Sequence, residues 1–215
     1  MKTKVLVIAI AVNLAFVSCQ KDEEVAANLT VTSQIESFPK ETLNADELTS
    51  LLQMREEEKL AKDVYNALYE KWKINVFTNI SSSEQKHTDA VLTLINKYDL
   101  TDPVDKNVAG VFTDSGLQNL YNQLVAQGNI SVLDAYKVGA TIEDLDIFDL
   151  EEALLKSDNQ DIKYVYDLLT MGSRNHMRSF YSQIISLGGS YSAQFISQTE
   201  LVAIVSSAKE TGSSW

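Results

Sequence analysis

The sequence predicts an all-α fold built on four long helices. Eight glycines and two prolines in 215 residues leave few of the residues that punctuate strands. Apolar residues instead recur at steps of three and four over long stretches, the spacing of a helix buried along one face. The long interval between the second and third stretches predicts a helical crossover, so that two hairpins of helices pair side by side.

The chain begins with "MKTKVLVIAIAVNLAFVSC": Lys2 and Lys4, an apolar run from Val5 to Val17, then Ser18 and the sole cysteine. That run is too short to span a bilayer comfortably and reads as a targeting segment. It resembles a bacterial lipoprotein signal covering residues 1–18, with Phe16 where such signals usually carry Leu. The resemblance implies cleavage before Cys19, a diacylglycerol anchor on its thiol, and a lipoprotein of the cell envelope, at the outer membrane or the cell surface. An ordinary cleaved secretory signal is the alternative, and both imply export. "QKDEE" after the cysteine is similar to the acidic sorting signal of surface lipoproteins. Residues 19–43 are polar and weakly periodic, the pattern of a flexible tether.

The helical domain is expected over 44–189. Asn44 to Asp46 supply a cap and early acids for the first helix, which continues through "ELTSLLQMREEEKLAKDVYNALYEKW" with Met54, Ala61, Val64, Tyr65, Leu68 and Trp72 on one face. The second helix is "NISSSEQKHTDAVLTLINKY", with the serines expected to cap it, and Pro103 prevents continuation. "SGLQNLYNQLVAQG" and "SVLDAYKVG" read as two short crossover helices ending at Gly128 and Gly139. The third long helix is expected from Ala140 and the fourth from Asp161 to the break at Gly188 and Gly189. Residues 190–215 form a C-terminal tail with a short helix expected around Gln198 to Ala208.

A formal charge of -12 argues against a nucleic-acid partner, because phosphate binding needs a basic footprint and none follows the N-terminus. Metal cations or basic partners suit the charge, unless it serves solubility alone. With the one cysteine taken by lipid, packing alone holds the domain, and no thiolates remain for an iron-sulfur centre.

Ile80, Glu84, His87, Val91, Leu94 and Tyr98 fall on one helical stripe, which places a carboxylate and an imidazole within a core-facing row. Glu84 and His87 are three residues apart, so both can reach one metal ion. The first helix adds Glu57 and Glu58 on or beside its apolar face, the third adds Glu143 and Asp146, and the fourth His176, the only other histidine. Buried carboxylates that repel one another must protonate or recruit cations. Glu58, Glu84, Glu143 and Asp146 would balance two divalent ions, with the histidines as neutral donors. Taken singly, each acid reads better as a group at a helix edge, solvated or paired with Lys or Arg, and only the set of six on four helices favours a site.

The segments "MREEEKLAKDVYNALYEKW", "NISSSEQKHTDAV", "FTDSGLQNLYNQLVAQG", "KVGATIEDLDIFDLEEAL" and "YDLLTMGSRNHMRSFYSQ" together resemble an exported bacterial ferritin-like family of unassigned function, over about Leu48 to Leu187. They are also similar to the wider ferritin and rubrerythrin group, in which a ligand Glu precedes a Tyr by seven residues. Here that is Glu58 before Tyr65, which selects Glu58 over Glu57, and the Glu-x-x-His of the second helix is Glu84 and His87. Ser173 departs from the di-iron pattern where Glu is usual, and Asp146 is expected to restore the carboxylate count. Tyr65 would orient a carboxylate or serve only as core, and Arg174 and Arg178 would offset charge or face water. The resemblance implies a ferritin-like four-helix bundle and a metal site of Glu58, Glu84, His87, Glu143, Asp146 and His176. Two iron ions, with manganese or zinc as alternatives, would react there with oxygen or peroxide in oxidative-stress or metal handling, as in a di-iron oxidase or peroxidase. The other reading is a non-catalytic binding or structural domain whose site is empty or holds one static ion.

Overall fold

The computed structural model describes residues 31–104 and 108–211, and the expected signal peptide and Cys19 lie outside them. Among the described residues there are seven helices and no strand. A helix over 31–37 (α1) is followed by α2 (Ala45–Trp72), α3 (Asn75–Lys97), α4 (Ser115–Gly128), α5 (Val132–Lys156), α6 (Gln160–Ser186) and α7 (Gln198–Ser206). None of the described helices is long and apolar enough to cross a membrane.

Local chemistry sets the ends of these helices. Asn44 and Glu47 form a reciprocal capping box at the start of α2. Lys73, at φ 54°, turns the chain within two residues, so α3 returns antiparallel to α2. Asp114, Ser131 and Ser197 cap α4, α5 and α7 by accepting from the backbone N–H three residues on. Gly188, at φ 72°, provides the left-handed turn that ends the run of α6.

The α2/α3 and α5/α6 hairpins pack against each other through α2 on α5 and α3 on α6, while α4 lies across α2 and α5. The apolar interior is divided in two. One cluster holds Val64, Tyr65, Phe77, Met177 and Phe180, and the other Leu51, Met54, Val91, Leu94, Leu150 and Leu169. On α2, α3 and α6 the candidate residues Glu58, Glu84, His87 and His176 fall between these clusters, so a polar layer crosses the bundle where apolar packing stops.

Four expectations need correction. Ser81 to Ser83 lie inside α3, which begins at Asn75 with no side-chain cap; Ser81 donates to Asn66 Oδ1 at 2.7 Å instead. "SVLDAYKVG" is the first part of α5, which runs unbroken from Val132. Gly139 sits within that helix because a Cβ there would fall 2.6 Å from the Phe180 ring, so the glycine marks a close helix approach and not an end. The segment expected as tether through residue 43 is partly packed: Val31 and Ile35 are buried, and Lys97 Nζ donates to the carbonyls of Ile35 and Phe38. By contrast, the short helix expected around Gln198 to Ala208 is present as α7, and the segment beyond 190 packs on the domain with Tyr191, Ile196, Leu201 and Ile204 buried.

Candidate metal centre

Each of the four long helices contributes to the polar layer. Its members are Glu58 from α2, Glu84 and His87 from α3, Glu143 and Asp146 from α5, and His176 from α6, all less than a tenth exposed. His87 Nδ1 lies 2.7 Å from Glu84 Oε2 and 3.1 Å from Glu58 Oε2. His176 Nδ1 lies 2.8 Å from Glu84 Oε1 and 3.4 Å from Glu143 Oε2. The two imidazole rings are nearly parallel, with centroids 5.6 Å apart.

These residues form two triplets, Glu58/Glu84/His87 and Glu84/Glu143/His176, and the ligand atoms of each lie within 4.8 Å of one another. Glu84 belongs to both and directs one oxygen to each histidine. Despite the short approaches, Glu84 Oε1 and Oε2, Glu143 Oε2, Asp146 Oδ2 and His176 Nδ1 complete no hydrogen bond. Buried polar atoms normally find a well-aligned partner, so this crowding of carboxyl groups and imidazoles is what sets the layer apart. Each triplet offers two carboxylates and one imidazole, a donor set that could hold a metal ion.

The sequence expectation therefore meets its geometry unevenly. Five of the six residues enter the two triplets, whereas Asp146 is buried beside them and outside both. Glu58, not Glu57, stands against His87. Glu57 is equally buried but accepts from Gln53 Nε2 at 2.8 Å, away from the histidines. Ser173 is buried and donates to the Leu169 carbonyl, a helix-internal bond that contributes nothing to the layer. Arg174 and Arg178 both pair with Glu210, and Arg55 with Asp102, so the three arginines bind loop segments and do not neutralise the central acids.

Tyr65 orients Glu143, its hydroxyl donating to Oε1 at 2.5 Å and leaving Oε2 toward His176. The sequence reading missed Gly172. A Cβ at this position would fall 2.5 Å from His87 Nε2, so only glycine lets α6 approach the ring. The available signal was a glycine in the middle of a long helix, where it costs about 1 kcal/mol and implies a close contact.

Electrostatics follow the crowding. Burial raises the Glu58 carboxyl, and burial followed by repulsion from Glu58 raises Asp146 well above its ordinary range. Burial also lifts Glu143 to about 7, against the opposing pull of His176. Burial would raise Glu84 as well, but the two histidines outweigh it and hold this carboxyl low. Burial acts to lower His87, yet Glu84 and Glu58 carry it up to about 9. Without a cation the layer therefore retains protons, on both imidazoles and on part of its carboxyl set.

Comparison with known proteins follows the same helical frame. An uncharacterized protein of Methanocaldococcus jannaschii, MJ0754, is 51% identical over 178 residues, covering 83% of this chain and 96% of its own. The crystal structure of that hypothetical protein superposes with a TM-score of 0.80, covering 81% of this chain and 99% of the other. Residues 47–208 match the family model described as uncharacterized protein domain DUF2202, and that span includes the whole polar layer. The chain belongs to the DUF2202 family.

Proposed function

We propose that this is a ferritin-like di-metal carboxylate protein, holding two iron ions between its helical hairpins and acting on oxygen or peroxide. The observation that carries the reading is Glu84, fully buried and shared by two carboxylate/histidine triplets. A carboxylate in that position can bridge two cations. The converging acceptors without hydrogen bonds fit cation binding better than a network sufficient in itself. Four helices supply the donors, and the crossover with α4 joins the hairpins, in keeping with a ferritin-like bundle. Glu58, Glu84 and His87 would hold one ion and Glu84, Glu143 and His176 the other, with Asp146 adding charge beside them. Bound iron would supply the electrons for reducing an oxidant. The chain's own part is to fix the donors, with Tyr65 holding the Glu143 carboxylate in place.

Anaerobic titration with Fe(II) tests this proposal. About two ions per chain should bind, a new near-ultraviolet charge-transfer absorption should develop on admitting oxygen, and His87→Ala should remove at least one ion. One tightly held zinc ion and no response to oxygen would instead favour the second reading, a binding or structural domain. Ser173 speaks for that alternative, since α6 brings a histidine to the layer but no carboxylate of its own.

The location proposed for this chemistry is the cell envelope, through a lipid on Cys19. Replacing Cys19 by Ser should move the protein from the membrane fraction to the soluble exported fraction. An unchanged distribution would remove the anchor from the proposal.

A further inference from the structure

A metal centre buried on all sides needs a way in, and two approaches differ in charge. Near His176, Arg174 and Arg178 project from α6 to Glu210, whose backbone also exchanges hydrogen bonds with Asn175. That side presents two guanidinium groups and a length of C-terminal chain. The seam between α2 and the start of α4 is acidic. A surface groove of about 440 Å³ lies there against Gln53, Glu56, Glu57, Asp114 and Leu117.

Beneath this groove is a small cavity of about 30 Å³, room for roughly one water-sized occupant. Glu57 and Leu117 line both spaces, and Asp146 lines the inner one. Glu57 and Asp146 are 6% and 5% exposed, and each keeps one oxygen, Oε2 and Oδ2, without a hydrogen-bond partner. The remaining wall is largely leucine and isoleucine, so these two carboxyl groups are the main oxygen donors a cation in the cavity would meet. Carboxylate side chains thus run inward from the groove through Glu57 and Asp146 to Glu58 and Glu143.

We infer that the Glu57/Asp146 cavity is the transit site by which a divalent cation passes from the acidic groove to the central triplets. Glu57 takes the cation at the groove floor, and Asp146 passes it inward. This accounts for Glu57, an acid buried next to a candidate ligand yet outside both triplets. It also gives Asp146 a role that does not require it to complete either donor set. The inference rests on the metal-binding reading above.

Its test is the rate of metal uptake compared with the final amount bound. Metal-free protein is mixed with Co(II), and visible absorption is followed with time and at equilibrium. Glu57→Gln should slow uptake about tenfold or more while leaving the final stoichiometry unchanged, because an amide cannot become the anionic oxygen donor that a passing cation would draw on at the groove floor. Leu117→Trp, which narrows the wall common to groove and cavity, should also slow uptake; it carries the test if the first variant does not fold. Glu210→Gln on the opposite side should stay within about twofold of the wild type. Wild-type rates in both Glu57→Gln and Leu117→Trp would overturn the inference while leaving the metal centre intact, as would a slower rate confined to Glu210→Gln. A lower final stoichiometry in Glu57→Gln would make Glu57 a ligand and overturn its transit role. Wild-type protein that takes up no Co(II) would overturn both the inference and the reading beneath it.

Discussion

Glu56, Glu57 and Glu58 are consecutive, equally buried and chemically identical, yet the fold puts them to three different uses. Glu56 accepts from the backbone N–H groups of Thr113 and Asp114 and so pins the crossover to α2. Glu58 faces His87 in the central layer, and Glu57 lies between groove and cavity. Neighbours on α5 repeat the contrast. Glu143 points inward to Tyr65 and His176, whereas Asp144 accepts from the Tyr191 hydroxyl at 2.7 Å and from the backbone N–H groups of Gln194, Phe195 and Ile196. Glu47 belongs with the anchors, receiving N–H groups from Asn44, Asp158 and Asn159. Burial does not distinguish the two sets. The anchors have filled their acceptor positions with loop donors, while the central acids keep theirs directed at one another and at two histidines.

The strongest challenge to this contrast is Glu84→Gln. Losing the shared carboxylate should abolish binding of both ions and destabilise the metal-free protein by about 3 kcal/mol, since two buried imidazoles lose their common counter-charge. Metal analysis and chemical denaturation measure the two effects. If both ions still bound, the central layer would need another bridge, and the distinction from the anchors would weaken.

Asp144→Ala should have the opposite profile. It leaves Tyr191 and three backbone donors without their acceptor and should cost about 1–3 kcal/mol, with faster hydrogen exchange over 190–197. Metal content should be unchanged. A loss of metal here would show that anchor and centre are not separable.

A subtler comparison uses pH. Glu57 rises from 4.5 to about 8 because of burial and Asp149, and His87 rises from 6.5 to about 9 under Glu84 and Glu58 despite burial. Both bind protons more tightly folded than unfolded. Their contribution to the stability of the metal-free protein is therefore fully present below about 4.5 and 6.5 respectively, and is lost as pH rises through about 8 and 9. Denaturation midpoints of the metal-free form should accordingly fall between about pH 4.5 and 9. Under the proposed metal binding a cation would displace protons from these groups, so loading should become tighter over that range and reduce or reverse the slope. Parallel slopes with and without metal would argue that the cation does not occupy the layer.

Much of the fold was legible along the chain because helix formation is local. Asn44 with Glu47, the helical period and the turn at Gly188 mark ends and faces whatever lies opposite. Glu84 and His87 were equally readable, since residues three apart on a helix must share a side. Where a residue's meaning depended on another helix, the linear pattern misled or fell silent. Gly139 looked like a terminus and proved to be the gap for Phe180, Ser81 looked like a cap, and Gly172, a glycine in mid-helix, signalled a close contact without telling that the His87 ring makes it. Sequence alone established which side chains share one helix face, for that follows from spacing along one rod. Only tertiary structure decided which acids meet loop donors and which meet histidines, because a carboxylate's partners across the bundle depend on the rotation and depth of helices distant in sequence.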